Sequence, residues 1–431
     1  MHILNQKKDE KEAIELFIKE NSIMLNEELT NMPEMFRSSE SNYCYLKNSV
    51  LDLYTFVKKN GFEGYDPYDG LNSEFTSRIS DNNKWLKMFI IQSLKSCPIN
   101  PRSILGINKS INLKGVALIT SAFLKLFKLT NEKKFLEDAQ FCLDILKNNS
   151  LKEKYSNYCW VGSVFNVQFP DDLGTPDVPS IVCTVACASA FLEYYEVSGS
   201  EESLEIAKSS ANFIINNLYI NDKEKSFFNY TPTYNKNSIV YNASPLGVKL
   251  LSYVYRYTKN KEILDISKRV TDYIISKQKL KGAWYFSETN GIERKQIDFH
   301  QGFILEALND FIKYTNSDKE EYMDALRKGV EFYKNEQFLL DGRCKWRYPR
   351  LWPIDIHNQA QGIITFSKLS NIRPEYLEFA KTIAKWTIDN MQDKSGYFYY
   401  QKWPIITNKI PYIRWGQAWM LLALSTLLEV S

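Results

Sequence analysis

Two of the three histidines in this 431-residue chain stand in matching settings. His300 follows AspPhe and His357 follows AspIle, so each has an aspartate two residues before it. An unperturbed imidazole titrates near ~6.5 and so both gives and takes protons at neutral pH. Asp298 and Asp355 are then placed to orient the two rings. They are equally placed to cap two helices, through the backbone N–H groups that follow them. Asp177, in ThrProAspValProSer, is a third candidate acid. Partial burial beside Trp160 and Phe169 would raise its pKa and let it donate a proton, whereas a helix starting near Pro179 would make it a plain cap. Asp69 belongs to the run GlyTyrAspProTyrAspGly, which begins at Gly64 and includes Tyr65. AspPro and AspGly are turn signals, and two tyrosines with two aspartates also match the hydroxyls of a sugar.

Around these groups lie flat aromatic side chains. Trp160, Trp284, Trp346, Trp352 and Trp415 fall in loops that also hold Asp, Arg and His. A ring with an apolar face and a polar edge suits a carbohydrate; the alternative is that these rings pack the loops onto the fold. Arg350 and Arg414 carry forked guanidinium groups that match a carboxylate. Cys183 and Cys187 stand at i, i+4, without a further His or Cys near enough to complete a zinc set. No nucleophile elbow, Walker loop, dinucleotide fingerprint or HExxH helix occurs. Neither a metal nor a cofactor is expected.

The elements that must position these residues repeat along the chain. Copies begin at Ile111, Ser180, Asn242, His300 and His357, and a half copy begins at Trp415. Each opens with an apolar helix rich in small residues, such as Ala186, Ala188, Ser189 and Ala190. A second, amphipathic helix follows, with Leu204, Ala207, Lys208 and Ala211 at surface-helix spacing. The first helices should line the inside and the second the outside. The half copy needs a partner, and the segment Leu46 to Lys59 is the candidate that closes a ring of six hairpins. A helix at Trp85 to Lys95 has no evident place in the repeat. The expectation is an all-α fold, an (α/α)6 toroid spanning 41–431 after a helical extension at 1–40. Short β-hairpins are expected in the rim loops, where aromatic tetrads follow Gly282, Gly342 and Gly396. Every inner helix then starts at one end, which gathers the loops and their chemistry on one rim.

The 54 basic and 51 acidic residues nearly balance and are spread along the chain, which argues against nucleic-acid binding and a polybasic membrane patch. No run reaches the ~20 apolar residues of a membrane span, and the N-terminal residues lack the apolar core of a secretory signal. A cytoplasmic protein acting on a carbohydrate is expected, with the oligomeric state left open.

The repeat and rim resemble the six-hairpin (α/α)6-toroid carbohydrate-active enzymes. ArgTrpGlyGlnAlaTrp at 414–419 is similar to a late segment of the unsaturated glucuronyl and rhamnogalacturonyl hydrolases, and Asp177 matches their general acid before an inner helix. His300, with Gln301 and Gly302, resembles one of the two rim histidines of the N-acylglucosamine 2-epimerase group. His357 would be the other, although it falls in the fifth hairpin and not at the chain's end. The stretch GlyTyrAspProTyrAspGlyLeuAsnSer is similar to bacterial proteins associated with surface-polysaccharide synthesis. The resemblance implies an enzyme acting by general acid/base catalysis on a uronate- or amino-sugar-containing glycan, of glycoside hydrolase type. The alternatives are a sugar epimerase or lyase using His300 and His357, and a non-catalytic glycan-binding scaffold.

Overall fold

The computed structural model describes residues 41–168, 173–222, 224–235 and 237–431. The expected extension at 1–40 and Phe169 lie outside these residues. Twelve helices form six hairpins. Outer helix α1 is Ser41–Lys59. Inner α2 (Leu113–Thr130) turns into outer α3 (Lys133–Asn148), and inner α4 (Ile181–Ser198) into outer α5 (Glu201–Phe213). Inner α6 (Ala243–Thr258) precedes outer α7 (Lys261–Ser276), and inner α8 (His300–Thr315) precedes outer α9 (Glu320–Phe332). Inner α10 (Ile356–Lys368) leads to outer α11 (Glu375–Met391), and inner α12 (Trp419–Val430) ends the chain.

Local sequence explains this punctuation. Asn112 and Ser180 cap α2 and α4 by accepting from the N–H groups of Gly115 and Cys183. Asn131, Gly199, Lys259 and Asn316 end α2, α4, α6 and α8 in the left-handed conformation, which turns the chain sharply into the outer helix. Ser200 and Asn260 then cap α5 and α7. Helix α4 is long and apolar enough to cross a membrane by composition, yet its length serves as an inner stave of the ring.

Each inner helix packs on the next around the circle, and α12 packs on α2. The ring is therefore closed, and α1 supplies the outer partner of the half copy. Ser49 donates to Gln392 beside α11, while Tyr54 donates to Asp138 of α3 at 2.9 Å, so α1 is tied on both sides. Lys58 adds a buried ion pair with Asp138.

Repeated contacts hold each loop against the ring. Gly282, Gly342 and Gly396 have φ of +95°, +90° and +94°. An added Cβ would meet backbone of Lys328 in α9, of Ile383 in α11 and of Asp52 in α1. Glycine is required at all three because the turn presses on the next outer helix. Gln301, Gln359 and Gln417 recur at intervals of 58 residues. Their side-chain carbonyls accept from the N–H groups of Trp284, Cys344 and Phe398. These glutamines clamp the aromatic tetrads. The strands fall beside the tetrads and not on them: Ser238–Val240 pairs with Ser287–Thr289, which pairs with Ile292–Arg294. Ile354–Asp355 pairs with Gln401–Lys402, which pairs with Thr407–Asn408. The unplaced helix is Lys84–Ser96, and it reaches the rim through Lys95, whose ammonium donates to Tyr68 and lies over the Trp415 ring.

Candidate functional site

The first turns of α2, α8, α10 and α12 converge on one mouth. His300 begins α8, and its Nδ1 lies 2.5 Å from Asp298 Oδ1. Burial pushes the Asp298 carboxyl up, but the His300 ring and hydrogen bonds from Gln296 and the His300 backbone outweigh it and leave its pKa below the usual value. An ionised Asp298 requires Nδ1 to donate. In the neutral tautomer this leaves Nε2 its lone pair, and Nε2 makes no hydrogen bond among the described residues. This arrangement is an oriented base with a carboxylate behind it.

His357 is in a different state. It is 2% exposed, and neither ring nitrogen has a hydrogen-bond partner among the described residues. Burial, then the charges of Lys114 and Arg414, lower its pKa well below 6.5, so the ring is neutral. Phe299 stacks on it at 4.1 Å and on His300 at 4.2 Å. Two rings cannot share one face at that separation, so Phe299 lies between the imidazoles. Trp419 stacks on His357 and Trp415 meets it edge-on, both at 4.7 Å.

The two histidines are not equivalent, as the clamping glutamines show. His300 stands one residue before Gln301, whereas His357 stands two before Gln359. One residue rotates a side chain by ~100° around a helix. His357 therefore shares its repeat position with Phe299 and Trp415, not with His300. The same offset separates the aspartates. Asp298 holds the ring of His300, but Asp355 does not touch the ring of His357. Asp355 accepts from the His357 backbone, from Gln401 at 2.7 Å and from Trp415 Nε1 at 3.0 Å, and burial raises its pKa. It positions Trp415.

Several other expected members sit elsewhere. Asp177 is exposed, and Thr175 and Lys154 bond it and lower its pKa, opposite to the expected rise. Asp69 is 1% exposed and paired with Arg102 at 2.7 Å beneath the rim. Burial is the largest influence on it and brings its pKa to about 6 despite that pair. Tyr65 packs near the same guanidinium, and its carbonyl accepts from Ile413, which anchors the loop. Trp160 and Trp284 are fully buried, with their indole N–H groups donating to Leu146 and Ile274, so neither offers a face to a ligand. Trp346 and Trp352 are partly exposed, with Arg347 and Arg343 over their rings, and Arg350 is exposed on the same loop. Arg414 does reach the mouth, from the π-helical turn Ile413–Ala418. Its fork is already occupied by Asp66, at 2.7 and 2.9 Å.

Sequence reasoning missed Lys114, Asp66, Phe299, Phe303 and Trp419. Asp66 lies in the same run as Asp69, and Trp419 in the segment with Trp415. Lys114 had a signal of its own, as the lone charge in the first three turns of an inner helix. No group of three or more His, Cys, Asp or Glu among the described residues is arranged to hold a metal ion.

No protein-family model matches the chain, and no curated protein matches it in sequence. Solved structures do share its fold. Cellobiose 2-epimerase from Bacillus thermoamylovorans superposes with TM-score 0.62 at 14% identity, over 74% of this chain and 87% of that one. A GH76 α-mannanase from Bacteroides thetaiotaomicron gives 0.62 at 10% identity, over 92% and 98%. Unsaturated glucuronyl hydrolase from Bacillus sp. GL1 gives 0.59 at 11% identity, over 89% and 96%. At these identities the likeness is one of fold, and the fold is the six-hairpin (α/α)6 toroid.

Proposed function

We propose that the chain is a carbohydrate-active enzyme that works by general acid/base catalysis at this mouth. The observation that carries the reading is the Asp298–His300 pair, with Nε2 left open among aromatic rings. In this reading Nε2 takes a proton from a sugar carbon or hydroxyl, and Asp298 stabilises the imidazolium that forms. His357 supplies one N–H and one lone pair without charge. Trp415, fixed by Asp355, gives the sugar ring a flat face. An imidazole base suits proton transfer at carbon, as in epimerisation, isomerisation or elimination.

Glycoside hydrolysis is the second reading. It is favoured by Asp355, a buried carboxyl with a raised pKa at the same mouth, the state a general acid needs. The similarity to toroid hydrolases over nine-tenths of the chain supports it equally. A uronate- or amino-sugar-containing glycan, a role in polysaccharide synthesis, a cytoplasmic location and a single working unit at 41–431 belong to the proposal. They rest on the run at 64–73 and on the repeat.

The test is a panel of sugars incubated in D2O with the purified protein. NMR would follow deuterium entering at C2, and a reducing-end assay would follow hydrolysis. His300→Ala should lose turnover by a factor of about 10² to 10⁴ while unfolding normally. Full activity in that variant would remove His300 from the chemistry. Sugar binding without turnover in the native chain would favour the scaffold alternative.

A further inference from the structure

Every charged group of the mouth but one has a hydrogen-bond partner among the described residues. Arg414 is held by Asp66, Arg102 by Asp69, and Lys95 donates to Tyr68. Asp298 is bonded to His300 and Asp355 to Gln401 and Trp415. Lys114 alone has no hydrogen-bond acceptor or ion pair among the described residues. It is only 9% exposed, and its ammonium lies 5.0 Å from the Trp419 ring and 5.6 Å from the Phe303 ring. It is the second residue of α2, as His357 is the second residue of α10, so both side chains leave the first turn of an inner helix.

Burial without a counter-ion disfavours the Lys114 ammonium and lowers its pKa to about 7. Cation–π contacts offset only part of that cost. Nothing in the packing demands a cation here, since a methionine would fill the same volume against Trp419 and Phe303. We propose that Lys114 is the specificity-determining residue of the mouth and pairs with an anionic group of the sugar, a carboxylate or a phosphate. The inference rests on the sugar-binding reading above. It also narrows that reading. Every carboxylate at the mouth is already bonded, so a free amino sugar would bring its ammonium to a site where neither Lys114 nor Lys95 has an ion pair among the described residues. An acidic sugar brings the missing counter-ion. Arg414, the residue expected to take the carboxylate, is left as a brace for the 64–70 loop.

The experiment is calorimetric titration of the native chain, Lys114→Met and Lys114→Arg with glucuronate, glucose 6-phosphate and glucose. A charge-assisted hydrogen bond is worth ~1.5–3 kcal/mol, which makes the acidic sugar bind about 10- to 150-fold tighter than glucose. Lys114→Met should erase that preference, and Lys114→Arg should retain part of it. A preference for glucuronate over glucose 6-phosphate identifies the anion as a carboxylate, and the reverse identifies a phosphate. Equal binding of all three sugars by the native chain overturns the inference and leaves the sugar reading standing. A preference that survives in Lys114→Met overturns it as well. If the native chain binds none of the three, the sugar reading falls and takes the inference with it.

Discussion

Replacing His357 by phenylalanine should make the free protein more stable, and more so in acid. The native imidazole is neutral and buried, and it leaves one donor and one acceptor without partners among the described residues. Each such group costs ~1–3 kcal/mol. Phenylalanine keeps the stacks on Phe299 and Trp419 and removes both orphans. Its larger ring adds overpacking of ~1–3 kcal/mol. The expected net gain at pH 7.5 is about 2 kcal/mol, from two unpaired groups at ~2 kcal/mol each less ~2 kcal/mol of overpacking. The pH arm isolates the cause. The folded-state pKa of His357 lies well below the unfolded value of 6.5. The unfolded chain therefore binds the proton first as pH falls, and the native protein loses stability below about 6.5. At pH 5.5, one unit below that value, the loss is RT ln 11, about 1.4 kcal/mol. Phenylalanine has nothing to titrate, so the gap between variant and native should widen by that amount between pH 7.5 and 5.5. Lys114, whose pKa burial lowers to about 7, contributes to both proteins and drops out of the difference. Urea unfolding at the two pH values measures both quantities. A gap that stays constant with pH would refute the buried neutral imidazole. A variant less stable than the native chain at pH 7.5 would refute the claim that its nitrogens lack partners.

Asp298→Asn removes the charge behind His300 and should lower turnover roughly 10- to 150-fold, from a charge-assisted bond of ~1.5–3 kcal/mol; an unchanged kcat would show that the carboxylate does not support the chemistry. Gly396→Ala places a Cβ 2.4 Å from the Asp52 carbonyl oxygen at φ +94°. It should cost roughly 2–4 kcal/mol in urea unfolding, with faster amide exchange in α1 as the seam of the ring loosens. Asp177→Asn should leave turnover unchanged, because its carboxylate lies exposed against Lys154; a large loss would return it to the site.

The fold was legible because its repeat is written in residue types that backbone geometry demands. Small residues at Ala186 and Ala190 let inner helices approach, and Gly282, Gly342 and Gly396 mark turns that press on the next outer helix. The half copy foretold the seam between α12 and α1. The site was less legible, because solvent exposure is not written in a motif. Trp160, Trp284 and Trp415 look alike in sequence, yet two are wedges whose N–H groups close helix ends and only Trp415 reaches the mouth. Asp66 and Asp69 stand three residues apart in one run, and only the turn geometry sends one to Arg414 and the other to Arg102. Asp177 lies three residues before the cap, which is Ser180, and Lys154 reaches it from the separate short helix Lys152–Tyr155.

The repeat itself offers a better guide to the chemistry than residue type. Phe299, His357 and Trp415 occupy one position of three successive hairpins, each two residues before a clamping glutamine. All three meet in one cluster, with centroid separations from 4.1 to 5.9 Å. A structural role at that position needs only an apolar ring, which phenylalanine and tryptophan supply. An imidazole there gives up stability for two nitrogens that the packing leaves unbonded. Lys114 follows the same logic against the same Trp419 and Phe303 rings, a cation where a methionine would pack. Position by position, a ring of repeats sets its own standard for what stability requires. The residues that fall short of that standard, His357 and Lys114, both do so at the end of the ring where Asp298 holds His300 open.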